Sequence, residues 1–152
     1  MKKLSLIGMC ISTVMLLTAC TNDIIRERVI DIEDKYNVLC AFDPATNAKE
    51  SCTEDAIVIE TFKKNVNGID AKKLIRESDL IEYTKSMEKE ERLLFTLHVK
   101  DSKTAITYHV TAYADGQFQF PEIGTTEMRY VSKQKHLEQF EQVKQLVKEM
   151  MD

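Results

Sequence analysis

The sequence predicts an α+β fold: an antiparallel β-meander of about four strands, with N-terminal helices and a C-terminal amphipathic helix packed on one sheet face. Three observations carry this expectation. Residues 92–120 alternate apolar and polar side chains at period two, interrupted by short polar turns. Leu137, Phe140, Val143, Val147 and Met150, with Leu146 widening the stripe, recur at helical spacing near the C-terminus. A hydrophobic content of 43%, with only four glycines and two prolines, suits a packed core better than a disordered stalk.

Each element follows from local pattern. Thr21-Asn22-Asp23 offers helix-capping side chains, and Ile25, Val29 and Ile32 follow at i, i+4 and i+7, so residues 23–35 read as a short amphipathic helix. Residues 36–42 (YNVLCAF) are apolar and aromatic, a strand that runs into the turn-forming Asp43-Pro44-Ala45-Thr46-Asn47. Ser51 and Glu54 have capping-box spacing, and Ala56, Ile59, Phe62 and Val66 mark one helical face before Asn67-Gly68. That predicts a helix over 53–66. The charge-rich stretch 69–91 fits either state: Ile81 and Tyr83 alternate, whereas Leu80, Tyr83 and Met87 share a helical face. It is read as a short helix near 70–77 and a strand near 80–87.

The centre of the chain is the most specific. Leu93, Phe95, Leu97 and Val99 form one apolar face, and Ile106, Tyr108, Val110 and Ala112 resume it after a polar turn. Only registers that pair an odd with an even position keep these faces together. At the next turn, a three-residue Ala114-Asp115-Gly116 loop pairs Ala112 with Phe118, with Gly116 at positive φ as the bulge residue. A two-residue Asp115-Gly116 loop would put Phe118 on the polar face. Pro121 ends this strand, residues 126–131 add another, and a helix occupies roughly 133–150.

The N-terminal residues point to an address. Met1-Lys2-Lys3 precedes an uncharged run from Leu4 to Leu17, too short to span a bilayer comfortably, and Leu17-Thr18-Ala19-Cys20 follows. This resembles a bacterial lipoprotein precursor with a lipobox. The resemblance implies cleavage between Ala19 and Cys20, a diacylglycerol on Cys20 with two or three acyl chains in all (palmitate being representative), and residues 20–152 as a single anchored domain. Two chains anchor stably where one does not. Thr21 next to the cysteine resembles the kind exported to an outer membrane facing the periplasm; in a cell with one membrane the protein would sit on its outer face. In element order the domain is similar to small lipoproteins with cystatin-like or nuclear-transport-factor-like folds.

Losing residues 1–19 removes Lys2 and Lys3 and leaves 19 basic against 25 acidic side chains, a net −6. An acidic domain argues against nucleic acid as a partner. Cys10 leaves with the leader and Cys20 is acylated, so Cys40 and Cys52 remain as one pair. Outside the cytoplasm such a pair tends to close, stabilising by about 3 kcal/mol for a loop of this size; two free thiols are the alternative. The bridge is expected to tie a strand to the first turn of helix 53–66. Spacing of twelve is not Cys-x-x-Cys, and no histidine lies nearby to complete a zinc site, so no metal or other cofactor is expected.

No phosphate loop, nucleophile elbow, metalloprotease motif or calcium loop is present. One feature stands out: the polar face of the sheet reads Thr96, His98, Thr107, His109, Thr111 and Tyr113, extended by Gln117 and Gln119. Uncharged hydroxyls, amides and an aromatic ring suit docking of a peptide, a glycan or an envelope protein; threonine is also simply a good β-former. With Ser102-Lys103 as the loop, His98 faces Thr107; with Ser102–Ala105 as the loop the two histidines face each other. The resulting expectation is a non-enzymatic, lipid-anchored envelope protein that binds or scaffolds. The alternatives are an inhibitor or exclusion lipoprotein of a mobile element, and, more remotely, a small envelope hydrolase.

Overall fold

Eight strands and three α-helices follow one another in the computed structural model, which describes residues 26–46, 49–102 and 107–151. They are β1 (Glu27–Val29), β2 (Val38–Phe42), β3 (Ser51–Thr53), α1 (Ala56–Val66), β4 (Asp70–Lys73), α2 (Glu77–Ser86), β5 (Arg92–His98), β6 (Thr107–Tyr113), β7 (Phe118–Phe120), β8 (Tyr130–Ser132) and α3 (Leu137–Met151). All eight strands join one antiparallel sheet in the order β1-β4-β8-β7-β6-β5-β2-β3. This corrects the expected four-strand meander, and with it the outline on which the likeness to cystatin-like and nuclear-transport-factor-like folds rested. The meander β5–β8 is present, but β2 and β3 extend it on one side and β4 and β1 on the other. The extra strands β1, β3 and β4 have three or four residues each, too few for period two to stand out against helical spacing.

The central register is the one that burial demands. Leu93 pairs with Ala112, Phe95 with Val110 and Leu97 with Tyr108, so the apolar faces coincide. Ala112 pairs with Phe118, and Gly116 has φ +86, as the three-residue turn requires. His98 pairs with Thr107, which keeps the two histidines from facing each other. Residues 103–106 of that loop lie outside the described residues.

Helices α1 and α3 pack against each other, and α3 also reaches β2 and β3. Phe62 of α1 is fully buried, its ring 4.6 Å from that of Phe95. The buried stripe of α3 is Phe140, Val143, Leu146 and Val147. Leu137 is 57% exposed and does not join it, because the helix starts there and not near 133. Helix α2 lies on the opposite, polar face: Tyr83 meets the Tyr113 ring edge-on at 6.2 Å, and Met87 is buried.

Three local expectations are overturned. Residues 23–35 do not form a helix where they are described: Ile30 and Ile32 are each 1% exposed while Val29 is 60% exposed, so burial runs at period two. The assignments within 69–91 are interchanged, with β4 at 70–73 and α2 at 77–86. Ala71 alone is buried in β4, flanked by exposed Asp70 and Lys72, whereas Leu80, Tyr83 and Met87 are the residues that α2 turns toward the sheet. The helix expected at 53–66 begins at Ala56. Its N-cap is Asp55, whose carboxylate accepts from the Ile57 N–H at 2.8 Å, a contact typically worth about 1 kcal/mol. Ser51 belongs to β3, so the expected Ser51–Glu54 box is not the cap.

Cys40 and Cys52 are joined as a disulfide. They sit directly opposite each other on β2 and β3, so the bridge links two strands and not a strand to a helix turn. The last short strand covers Tyr130–Ser132 and not 126–131.

Candidate functional site

The sheet's two edges differ, and the larger concavity lies beside β1. A cleft of about 910 Å³ opens between the segment 28–36 and the loop 121–127, with Thr107 and Tyr108 at its back. It forms because β1 carries the chain along the sheet edge before the turn at Tyr36, while Pro121 turns the chain out of β7.

The base of the cleft is a stacked cation–tyrosine arrangement. The Arg28 guanidinium lies 4.5 Å over the centre of the Tyr130 ring. Its Nη2 donates to the Tyr108 hydroxyl at 2.9 Å. Arg28 Nε is buried and has no hydrogen-bond partner among the described residues. Tyr36 packs against Tyr108 with ring centroids 6.0 Å apart. Burial pushes the Tyr108 hydroxyl up to about 12, while Arg28 pulls it the other way. At the lips, Val29 and Ile123 are 60% and 61% exposed. Glu122 and Glu127 on the loop are engaged with Lys73 and Arg129. Hydroxyl and guanidinium donors, an aromatic wall and apolar lips are equipped to hold a chain with carbonyl acceptors and an apolar side group.

The polar-face residues singled out in the sequence are brought together only in part. His109 sits between two hydroxyls, with Thr96 Oγ1 3.3 Å from Nδ1 and Thr107 Oγ1 2.9 Å from Nε2. His98 is half-buried beside them. Thr111 and Tyr113 are buried, as is Gln119. The Tyr113 hydroxyl donates to Gln119 Oε1 at 3.1 Å, and Gln119 Nε2 donates to the Met128 carbonyl at 2.7 Å. Burial raises the Tyr113 hydroxyl above its ordinary range. Helix α2 and the 122–129 loop thus cover one end of this face, leaving a hollow of about 290 Å³ next to Thr96, His109 and Thr111.

Sequence reasoning passed over Arg28, Tyr36 and Tyr108 as site residues. Tyr108 was legible only as an apolar-face residue, and Arg28 was hidden inside a supposed helix. Their convergence depends on sheet order, which no local pattern encodes. Cys40, Glu50 and Cys52 lie close enough to suggest a metal site, but both sulfurs are spent in the disulfide, leaving Glu50 alone. Ala19, Cys20, Thr21 and the rest of the leader lie outside the described residues. Among the described residues no helix is long and apolar enough to cross a membrane. The chain matches no protein-family model, no curated protein and no solved structure.

Proposed function

We propose that this chain is a lipid-anchored bacterial envelope protein that acts by binding another molecule rather than by catalysis. The observation that carries the binding role is the open cleft floored by Arg28 and Tyr108, with Tyr130 buried beneath Arg28 and exposed apolar lips. Two features support placement in the envelope. Leu17-Thr18-Ala19-Cys20 has the residues of a lipobox after a short apolar run. The closed Cys40–Cys52 bridge fits a chain that matures away from the reducing cytoplasm. Anchoring and binding are linked by distance: Arg26 is the sixth residue after Cys20, a reach of at most about 20 Å. The cleft would therefore work close to the bilayer.

Fractionation of cells carrying Cys20→Ala tests the anchor. The wild-type protein should sediment with membranes and resist a salt wash, and the variant should move to the soluble fraction. Membrane retention by the variant would contradict the anchoring role. Chemical crosslinking of intact cells tests the binding role through the partner recovered with the protein.

A further inference from the structure

The β1 edge offers more than a wall for the cleft. Lys73 N–H donates to the Arg26 carbonyl, and Ile30 N–H donates to the Ile69 carbonyl, in a register that pairs Arg28 with Ala71. Antiparallel alternation then turns the main-chain groups of Arg28 toward β4 and those of Glu27 and Val29 outward. These outward groups have no partner among the described residues. Their protection is limited to the shortness of β1 and the charges of Glu27 and Arg28: the strand has no proline, and Val29 beside them is exposed.

Charge narrows what fits. The edge run from 26 to 35 holds Glu27, Asp31, Glu33 and Asp34 against Arg26, Arg28 and Lys35. Glu27 and Glu33 pair with the partly exposed Lys133 and Lys35 at 2.6 and 2.8 Å, contacts of the kind that contribute little and exchange readily, while exposed Asp34 lies 3.8 Å from the buried Lys63 ammonium. Asp31 has no ion pair among the described residues. This acidic border repels anionic lipid and attracts a basic chain. Inside the cleft, the Tyr108 hydroxyl accepts from Arg28 but has no acceptor of its own among the described residues, so its hydrogen is available to a peptide carbonyl.

We infer that, as an extension of the binding role proposed above, the β1 edge takes an extended lysine- or arginine-rich segment of another protein. The segment adds as a further strand against Glu27 and Val29 and lodges an apolar side chain on the Tyr36–Tyr108 wall.

The test uses the full-length protein in detergent and two fluorescent peptides, acetyl-Lys-Val-Lys-Phe-Lys-Val-Lys-amide and its counterpart with glutamate for every lysine. The basic peptide should bind at least tenfold more tightly. Val29→Pro, which deletes an outward donor, should weaken it at least tenfold with little change in the unfolding midpoint. Should Val29→Pro misfold, the exposed pair Asp31→Lys and Glu33→Lys should invert the preference between the peptides. Equal binding of the two peptides would overturn the inference, as would phosphatidylglycerol vesicles or a second copy of this chain claiming the edge in a Val29-dependent way. A partner recovered by crosslinking alongside equal peptide binding would leave the binding role standing and remove only the strand addition. No recovered partner, with neither peptide bound, would remove both.

Discussion

The two edges of the sheet solve the same problem in opposite ways. At one end, β3 is tied down. Its Cys52 is bridged to Cys40 of β2, and Ser51 Oγ donates to the Met150 carbonyl at 2.6 Å, drawing the end of α3 to the strand. At the other end, β1 has no bridge, and its outward face looks onto a cleft with exposed Val29 and Ile123 at the lips. Both strands have three residues, so length does not explain the difference. An unpaired edge is a hazard that folded chains normally blunt. One edge is stapled to β2 and latched to α3, whereas its counterpart borders a cleft, and that cleft is why the proposed binding is assigned to the β1 side.

The sharpest way to break this contrast is to open the closed edge. Replacing Cys40 and Cys52 together by alanine should lower stability by about 3 kcal/mol, measured as the shift in urea midpoint under non-reducing conditions. Amide exchange should rise in β3 with little change in β5 and β6. An unchanged midpoint would mean that the bridge contributes nothing to this edge. A smaller effect is expected at the latch. Ser51→Ala removes the hydrogen bond to the Met150 carbonyl and should cost about 1 kcal/mol, with exchange rising in the last turn of α3.

The smallest effect sharpens the picture of the open side, and it depends on pH. Tyr108 has a folded-state pKa of about 12, raised from the ordinary tyrosine value by burial, so the folded state holds its proton more tightly than the unfolded chain does. The stability this contributes is present in full below about pH 10 and is lost as pH rises toward the folded value. Absorbance titration of the folded protein should show late-ionising tyrosine that is diminished in Tyr108→Phe. Tyr83 and Tyr113 are also raised by burial, so the difference between wild type and variant is the informative quantity. A Tyr108 that ionises with the exposed population would mean that the cleft floor is wet.

The disulfide was more legible in the sequence than either edge strand, for a physical reason. Cysteines declare themselves by identity, so pairing Cys40 with Cys52 needed only a count of what remained once Cys10 and Cys20 were assigned to the expected leader and anchor. The long strands also declared themselves: seven-residue β5 and β6 repeat period two often enough to fix which faces coincide, while two loop lengths stayed open between them, and burial of Phe118 selected the three-residue turn at Gly116. Short strands carry no such redundancy. Ile25, Val29 and Ile32 mimic a helical face, while among the described residues 26–32 those buried are Ile30 and Ile32. Likewise the capping signals around 51–55 were real but shifted, with Asp55 and not Ser51 serving α1. In 69–91 the helical spacing of Leu80, Tyr83 and Met87 was visible, yet Ile81 and Tyr83 supplied a competing alternation. Tertiary packing decided, leaving Ile81 49% exposed. The cleft was out of reach altogether, because Arg28, Tyr36 and Tyr108 meet only through an eight-strand order.

The central claim, that this chain docks its partner at the open edge, is tested most directly by site-specific photo-crosslinking in intact cells. A photoreactive residue is placed at Val29 on β1 or at Thr53 on β3. The account predicts a discrete protein adduct from position 29 and none above background from position 53. Equal adduct yields from the two edges, or adducts from position 53 alone, would contradict it.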